Sequence, residues 1–274
     1  MKIYFFSSVV LLMNMGNRIQ AQNKIAFDDE KPLFKFQGEQ LINQNGLLRY
    51  AALTSYREGI APIKGQFNVN FKGYNDDETS TRRIYMFNLS IQDMLTHGLV
   101  KPNQILLEVK DPSKYRYDPK YGSETEWLRK NGYCYELLLP LGVLKGLHIL
   151  DDQIQKIFGV TCRWEKRNVK TWILVRTSSA EKFKASGGEA FKDPVQGIYR
   201  NVNIGWIGVP LNEFGPVPFL DETGYKEPVN IDLGINLNTI NNLTAFRKAL
   251  EKYDLDLKEE IREKQMFVIT ENKK

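Results

Sequence analysis

Two segments of this chain carry the same apolar pattern, displaced by 95 positions. In the C-terminal segment, residues 242–270, four apolar side chains recur at helical spacing, and two short apolar stretches separated by charged residues follow them. The apolar pairs that the displacement relates are Phe158 and Tyr253, Val160 and Leu255, Cys162 and Leu257, Trp172 and Phe267, and Leu174 and Ile269. The pattern predicts a unit of helix, strand, turn and strand that the chain uses at least twice.

The charged residues inside each unit are interpreted as the exposed tip of a hairpin. In the first unit this hairpin would join Val160–Trp164 to Thr171–Val175 through the turn Glu165–Lys170. Upstream, residues 133–139 (YCYELLL) form a predicted strand that Pro140 ends. The predicted fold class is α+β, built from repeated strand-helix-strand-strand units with antiparallel hairpins. Each unit resembles the small N-terminal domains of secretins.

Local patterns predict further elements before the first unit. Residues 47–60 place several small or apolar side chains near one helical face, and Arg83–Phe87 reads as a short strand. Ser90 and Asp93 resemble a capping box ahead of a helix. Residues 111–131 are a long polar connection.

Between the two units, Val217–Leu220 and Val229–Leu233 predict a hairpin that leads to the final helix. We expect three segments in the mature chain. They are an N-terminal extension over residues 22–81, a first α+β lobe over 82–180 and a second over 181–274.

The first residues have the composition of a secretory signal peptide. Lys2 precedes the apolar run Ile3–Met13, and residues 19–21 (IQA) form a cleavage site, so we expect removal of residues 1–21. Cleavage takes away Lys2 and Arg18 and lowers the formal net charge from +5 to +3. No later stretch approaches the roughly 20 apolar residues of a transmembrane helix. We therefore expect an exported protein of the periplasm, the cell surface or the extracellular space, without a transmembrane segment.

Four stretches carry a resemblance to a known family. They are Asn103–Tyr115 (NQILLEVKDPSKY), Gly132–Pro140 (GYCYELLLP), Ile157–Ser178 (IFGVTCRWEKRNVKTWILVRTS) and Leu220–Leu233 (LDETGYKEPVNIDL). They resemble an uncharacterised family of exported bacterial domains of unknown function, which is expanded in soil bacteria. In Bacteroidota-type relatives this module follows a periplasmic thioredoxin-like redoxin domain. The resemblance implies an envelope-located α+β module and supplies no catalytic residues. The 274 residues of this sequence depart from the family pattern, since they contain no redoxin domain and since glycine and proline interrupt the helix expected after Asn203.

Composition and spacing argue against several classes of function. The 38 basic residues are scattered among 33 acidic ones, without a basic stripe, so we expect no nucleic-acid partner. His97 and His148 have no second ligand at metal spacing, and structural histidines are the preferred interpretation. The sequence has no G-x-S-x-G elbow and no calcium loop, so we assign no catalytic residue, metal ligand or cofactor.

The two cysteines, Cys134 and Cys162, are 28 positions apart, a spacing that excludes a C-x-x-C dithiol. A structural disulfide and two buried thiols both remain open on spacing alone. If residues 133–139 pair with residues 171–175, the Cys162 strand lies two strands from Cys134, near 10 Å, and a disulfide tolerates only about 7 Å. On that topology we predict two unpaired thiols.

Residues 205–219 (GWIGVPLNEFGPVPF) concentrate aromatic side chains among glycines and prolines that interrupt a helix. Trp206, Phe214 and Phe219 are therefore candidate binding residues on an irregular loop. The alternative is that these rings fill the core where a helix has been lost.

These observations favour a non-enzymatic binding or assembly module, with an envelope protein as its partner. Small repeated units leave edge strands that can accept a partner strand. The alternative function is an accessory to envelope thiol-disulfide chemistry, which the redoxin fusions and the two cysteines suggest. A third interpretation is a hydrolase whose site gathers distant residues.

Overall fold

The computed structural model describes residues 49–60, 71–77, 80–143, 146–240 and 242–273. The predicted signal peptide, residues 1–21, and most of the predicted N-terminal extension lie outside the described residues. Helices and largely antiparallel sheets make up the described chain, which confirms the α+β class.

The strands are β1 (Tyr50–Ser55), β2 (Phe71–Asp76), β3 (Thr81–Leu89), β4 (Ile105–Glu108), β5 (Tyr133–Pro140), β6 (Val160–Arg176), β7 (Phe191–Asp193), β8 (Ile198–Asn203), β9 (Phe219–Asp221), β10 (Pro228–Asp232) and β11 (Leu255–Glu271). The α-helices are α1 (Ile91–Thr96), α2 (Glu124–Asn131), α3 (Gly146–Phe158), α4 (Gly208–Phe214) and α5 (Leu243–Glu251). The described strands form three sheets, in the orders β1-β5-β3-β2, β10-β8-β7 and β4-β11-β6-β9.

The predicted hairpins inside the two units are wrong, because each is a single uninterrupted strand. β6 and β11 have 17 residues each and pair with one another, antiparallel, along their whole length. The charged stretches that were assigned to turns lie in the middle of these strands. They stay extended because the antiparallel ladder between β6 and β11 continues through them, and side chains of opposite charge face each other across it.

Three other predictions also need correction. The strand predicted to pair with residues 171–175 is β5, which pairs instead with β1 and β3 in another sheet. β9 and β10 do not form a hairpin, because β9 pairs with β6 and β10 pairs with β8. The predicted helix at residues 47–60 contains β1, whose side chains alternate between half-buried and exposed as in an edge strand.

Helix capping was predicted in one place and missed in another. The predicted cap of α1 is confirmed, since Ser90 Oγ accepts from the Asp93 N–H at 3.0 Å and donates to Asp93 Oδ2 at 2.7 Å. α2 lies in the segment that was interpreted as a polar connection. Ser123 caps it by accepting from the Glu126 N–H at 3.3 Å.

Two large apolar clusters form the core, and the ends of β6 and β11 contribute to both. The first cluster surrounds α1, α3 and β5 and takes in Val160 of β6 and Ile269 of β11. The second surrounds α4, α5, β8 and β10 and takes in Leu174 of β6 and Leu257 of β11. The two clusters therefore do not separate at a single point of the chain.

Candidate functional site

The middle of the β6–β11 pair is a two-stranded ribbon with open edges. We call residues 164–170 of β6 and 259–265 of β11 the central ribbon. β9 flanks β6 at residues 172–174, and β4 flanks β11 at residues 267–270, at opposite ends of the pair. Between those ends, no other strand of the described chain pairs with either member of the ribbon.

Backbone groups along the outer side of the ribbon point away from the partner strand. The Trp172 N–H donates to the Pro218 carbonyl at 2.9 Å, and the Leu174 carbonyl accepts from the Glu222 N–H at 2.9 Å. Alternate residues of a strand direct their backbone groups to the same side. The same outward direction therefore applies to Trp164, Lys166, Asn168 and Lys170, which form what we call the β6 edge. On the other strand it applies to Glu259, Ile261, Glu263 and Gln265, which form the β11 edge.

Just beyond the first residue of each edge, a side chain accepts a hydrogen bond from the next outward-facing backbone N–H. Gln155 Oε1 of α3 accepts from the Cys162 N–H at 2.7 Å. At the corresponding place on β11, Asp256 Oδ1 accepts from the Leu257 N–H at 2.8 Å. Each edge is therefore bounded by a capped N–H at one end and by a short parallel strand at the other. This leaves room for a partner strand of about seven residues.

Side chains of the two edges share one solvent-exposed face and carry opposite charge. Lys166 Nζ lies 2.7 Å from Glu263 Oε1, and Lys170 Nζ lies 3.0 Å from Glu259 Oε1. The β6 edge is therefore basic and the β11 edge acidic. This face also holds the Trp164 ring, which is 54% exposed and meets Phe267 edge to face.

The opposite face of the ribbon carries two ion clusters of glutamate and arginine side chains. The first contains an additional arginine, Arg163, which lies 2.5 Å from Glu165 and 3.8 Å from Glu108. Arg167 contacts Glu165 and reaches Glu108 of β4 at 3.0 Å. Arg262 contacts Glu260 at 2.7 Å and Glu222, the residue after β9, at 3.2 Å. Each cluster joins a short flanking strand to the ribbon. The glutamates at 165 and 260 and the arginines at 167 and 262 are related by the displacement of 95.

The three predicted aromatic residues do not form one surface. The segment is a 3₁₀ turn, Ile204–Ile207, that continues into α4. Trp206 is 42% exposed, with Lys192 Nζ at 3.3 Å from its ring centroid, and Phe214 is 54% exposed. Phe219 is buried in the second core cluster, so that its ring fills the core as the alternative interpretation described.

The two cysteines lie in different sheets and are not bonded. Cys134 Sγ donates to Asn88 Oδ1 at 3.2 Å and accepts from the Asn88 N–H at 3.4 Å. Burial raises the pKa of the Cys134 thiol. Burial, and to a smaller extent the charge of Asp151, raises the pKa of the Cys162 thiol to about 12. Neither sulfur is a thiolate at neutral pH, which is the form that attacks a disulfide.

His97 has a structural environment. Its ring stacks on Phe71 with the centroids 5.1 Å apart, and its Nε2 lies 3.1 Å from Asp151 Oδ1 without the alignment of a hydrogen bond. In the ranges that the structure describes, no group of three or more His, Cys, Asp and Glu side chains is arranged to hold a metal ion.

Sequence reasoning missed a buried ion pair in the first sheet. Arg83 Nε lies 2.5 Å from Glu136 Oε1, and both side chains are almost fully buried. The Tyr50 hydroxyl also donates to Glu136 Oε1, and the Arg83 guanidinium lies 4.6 Å from the Tyr85 ring centroid. The sequence does contain a signal for this ion pair, because Glu136 is the single charged residue in the otherwise apolar strand 133–139.

An open groove of about 690 Å³ lies beside α2. Its lining comprises Asp111, Ser113, Lys114, Tyr121, Glu126, Trp127, Arg129, Lys130 and Asn131. Trp127 donates to the Ser113 carbonyl at 3.0 Å, and Asp111 pairs with Lys114, so much of the lining holds the loop together. The mixed charges leave the groove without a preference for one class of ligand.

Comparison of the chain with known protein families, with curated proteins and with solved structures finds no match. Among the described helices, none has the length and apolarity needed to cross a membrane. The open-edged ribbon is therefore the candidate functional site on its geometry alone.

Proposed function

We propose that this chain is an exported, non-enzymatic binding or assembly module that accepts an extended partner strand on an open edge of its central ribbon. One observation carries the proposal: the outward N–H and C=O groups of residues 164–170 have no partner strand within the described chain. A peptide that adds a strand satisfies such groups and is recognised by side chains on alternate positions.

We also infer that the module consists of two tandem copies of a helix and long-strand unit. β6 and β11 begin and end at residues related by the displacement of 95. The residues before them, Gly159 and Asp254, both have left-handed φ angles, +63° and +51°. In the ladder, Asn168 pairs with Glu263, its own counterpart, as a two-fold relation between the copies requires. The likeness to secretin N-terminal domains loses its basis, because it rested on hairpins.

Export and family membership belong to the same proposal. The N-terminal residues carry the pattern of a signal peptide, and the resemblance to the exported domain family supports an envelope location. Intact-mass measurement of protein secreted by a bacterial host tests cleavage after Ala21. A product that still begins at Met1 would remove the basis for an envelope location.

A matched pair of proline variants tests the strand-addition mechanism. Asn168→Pro removes an outward N–H from the β6 edge, and Glu263→Pro does the same at the facing position of the β11 edge. Neither N–H belongs to the β6–β11 ladder, and proline is tolerated where the N–H faces solvent. Each variant and the wild-type chain would be cross-linked in an envelope fraction, with folding checked by circular dichroism.

We expect one proline variant to lose a cross-linked partner that wild type and the other variant retain. Asn168→Ala and Glu263→Ala, which keep the N–H groups, should retain it as well. Unchanged cross-linking in both folded proline variants would exclude strand addition at the ribbon.

The second candidate function is an accessory role in thiol-disulfide chemistry. It requires a thiol that forms a thiolate, and the burial that raises the pKa of Cys134 and Cys162 works against it. Reaction of the native protein with an aromatic disulfide reagent separates the two functions. Rapid modification of either cysteine at neutral pH would favour the accessory role, whereas modification only after denaturation would favour the binding module.

A further inference from the structure

The two edges of the ribbon differ in charge and in exposed apolar surface. The β6 edge presents Lys166 and Lys170, with Trp164 at its end. At the positions related to these by the displacement of 95, the β11 edge presents Ile261, Gln265 and Glu259. A large exposed aromatic ring beside unpaired backbone groups is the kind of surface at which partner side chains gain most of their binding energy.

We propose that the β6 edge binds an acidic extended peptide segment, antiparallel to β6, with an apolar residue against Trp164. The inference rests on the proposed function and identifies the edge and the class of partner. Four outward residues with three intervening ones give seven positions, so the bound segment has about seven residues.

The side chains of the β6 edge define the pattern of the partner. In an antiparallel pair, residues directly opposite one another share a face and touch. Reading from Lys170 towards Trp164, the partner places an acidic residue, a polar residue, an acidic residue and an apolar residue at alternate positions. The chain already uses the same chemistry, because β11 places Glu263 beside Lys166 and Phe267 opposite Trp164.

The existing ion pairs leave the lysines able to bind a second carboxylate. The Lys166 and Lys170 side chains are 64% and 66% exposed, and exposed pairs of this kind hold their partners weakly. A lysine ammonium has three donors, so that one ammonium can lie between carboxylates on two neighbouring strands. The same lysines disfavour basic strands, which gives the edge its selectivity.

Fluorescence anisotropy with two labelled synthetic peptides tests the inference on the mature chain. The acidic probe is Thr-Glu-Thr-Asn-Thr-Glu-Thr-Phe-Thr, and the basic probe replaces both glutamates by lysine. We expect the acidic probe to bind at least about tenfold more tightly than the basic one, with the difference shrinking as salt is added.

Three variants assign binding to the edge, the charge and the aromatic ring. We expect Asn168→Pro to weaken binding of the acidic probe by at least about tenfold. Glu263→Pro, which removes an N–H from the other edge together with the carboxylate that lies beside Lys166, should not weaken binding. The double variant Lys166→Glu, Lys170→Glu should reverse the preference between the two probes. Trp164→Ala should weaken binding by about tenfold.

The outcomes separate this inference from the function on which it rests. Equal binding of both probes, or no binding of either, overturns the acidic-peptide assignment. Loss of the acidic probe in Glu263→Pro and not in Asn168→Pro overturns the assignment to the β6 edge. In each case the proposed function is decided independently by envelope cross-linking of the two proline variants, and it fails only if neither variant changes the cross-linked products.

Discussion

Strands β6 and β11 have the same length, follow a helix and a left-handed residue, and pair in register with each other. They share a glutamate and an arginine on the face where the ion clusters tie β4 and β9 to the ribbon. On the exposed face they share nothing: Trp164, Lys166 and Asn168 of one strand stand where Glu259, Ile261 and Glu263 stand in the other. The glutamate and arginine that tie the flanking strands to the ribbon are the same in both strands, whereas the exposed face is basic on one edge and acidic on the other.

The largest expected effect lies at the ends of the two strands, where equivalent aromatic residues differ in burial. Trp172 is 2% exposed in the second core cluster, whereas its counterpart Phe267 is only partly buried against the first. We expect Trp172→Ala to lower the free energy of unfolding by about 4 kcal/mol and Phe267→Ala by about half as much. Urea denaturation measures both. Equal losses would mean that the two strand ends are buried alike.

The next difference between the two strands is the residue with a left-handed φ angle that precedes each of them, Gly159 before β6 and Asp254 before β11. A Cβ at Gly159 would meet no atom within 4 Å, so Gly159→Ala costs only the backbone strain of φ +63°, about 1 kcal/mol. Gly159→Asn should cost less, because asparagine adopts this conformation more readily. The counterpart Asp254 accepts hydrogen bonds from Ser178 and Lys182, at 2.8 and 2.7 Å. Asp254→Gly should relieve strain and lose these bonds together. If Gly159→Ala and Gly159→Asn were equally stable, the strain argument would fail.

Removing one arginine from either ion cluster should increase amide exchange in the neighbouring short strand and not throughout the chain. Arg167→Ala should speed amide exchange in β4, because Arg167 contacts Glu108, and leave β9 unchanged. Arg262→Ala should do the reverse, since Arg262 contacts Glu222 beside β9. Hydrogen exchange followed by mass spectrometry resolves the two strands. Identical exchange patterns in the two variants would argue against independent clusters.

The smallest expected effect is a difference in pH dependence between two hydrogen bonds, the one that Asp256 accepts from the Leu257 N–H and the one that Gln155 accepts from the Cys162 N–H. The hydrogen bond from Arg247 holds the pKa of Asp256 below its usual 3.8. The stability that the Asp256 carboxylate contributes to the folded chain is therefore present above the usual pKa and is lost as the pH falls through the lowered pKa. Its cap on the Leu257 N–H should weaken in acid. The cap on the Cys162 N–H should not, because Gln155 does not titrate. Amide chemical shifts from about pH 5 to about pH 2 report both, and a parallel shift of the two amides would contradict the assignment.

The displacement of 95 could be found in the sequence because it relates buried residues, and burial leaves an apolar pattern. The middle of each strand could not be assigned from periodicity, since both of its faces meet solvent and the apolar alternation disappears there. The absence of turn-forming residues was the signal that these stretches are not hairpin tips. Residues 165–170 (EKRNVK) contain neither glycine nor proline, and residues 258–265 (KEEIREKQ) also lack both, whereas real hairpin tips depend on such residues.

The open edges themselves could not be predicted, because an edge is defined by what does not pair with it. β4 and β9 flank the ribbon through parallel pairing over only three or four residues. Such short parallel pairing has no recognisable local sequence pattern. In the sequence, Trp164 ends a predicted strand and Lys166 lies within the predicted turn Glu165–Lys170. The outward direction of their backbone groups follows only from the structure, because Trp172 and Leu174 of the same strand form backbone hydrogen bonds with the segment around β9.

The pairing of β4 with β11 also determines when the chain can fold. Glu108 and Thr270 are in contact across 162 positions of sequence, and Tyr115 reaches Glu271 across 156. Contacts this distant in sequence form slowly, and the first core cluster cannot close before the last strand has been synthesised. Until β11 has left the ribosome, the N-terminal half of the chain remains incompletely folded. For a chain that we propose to be exported, this delay would keep the segment before β11 unfolded while it passes through a translocation channel.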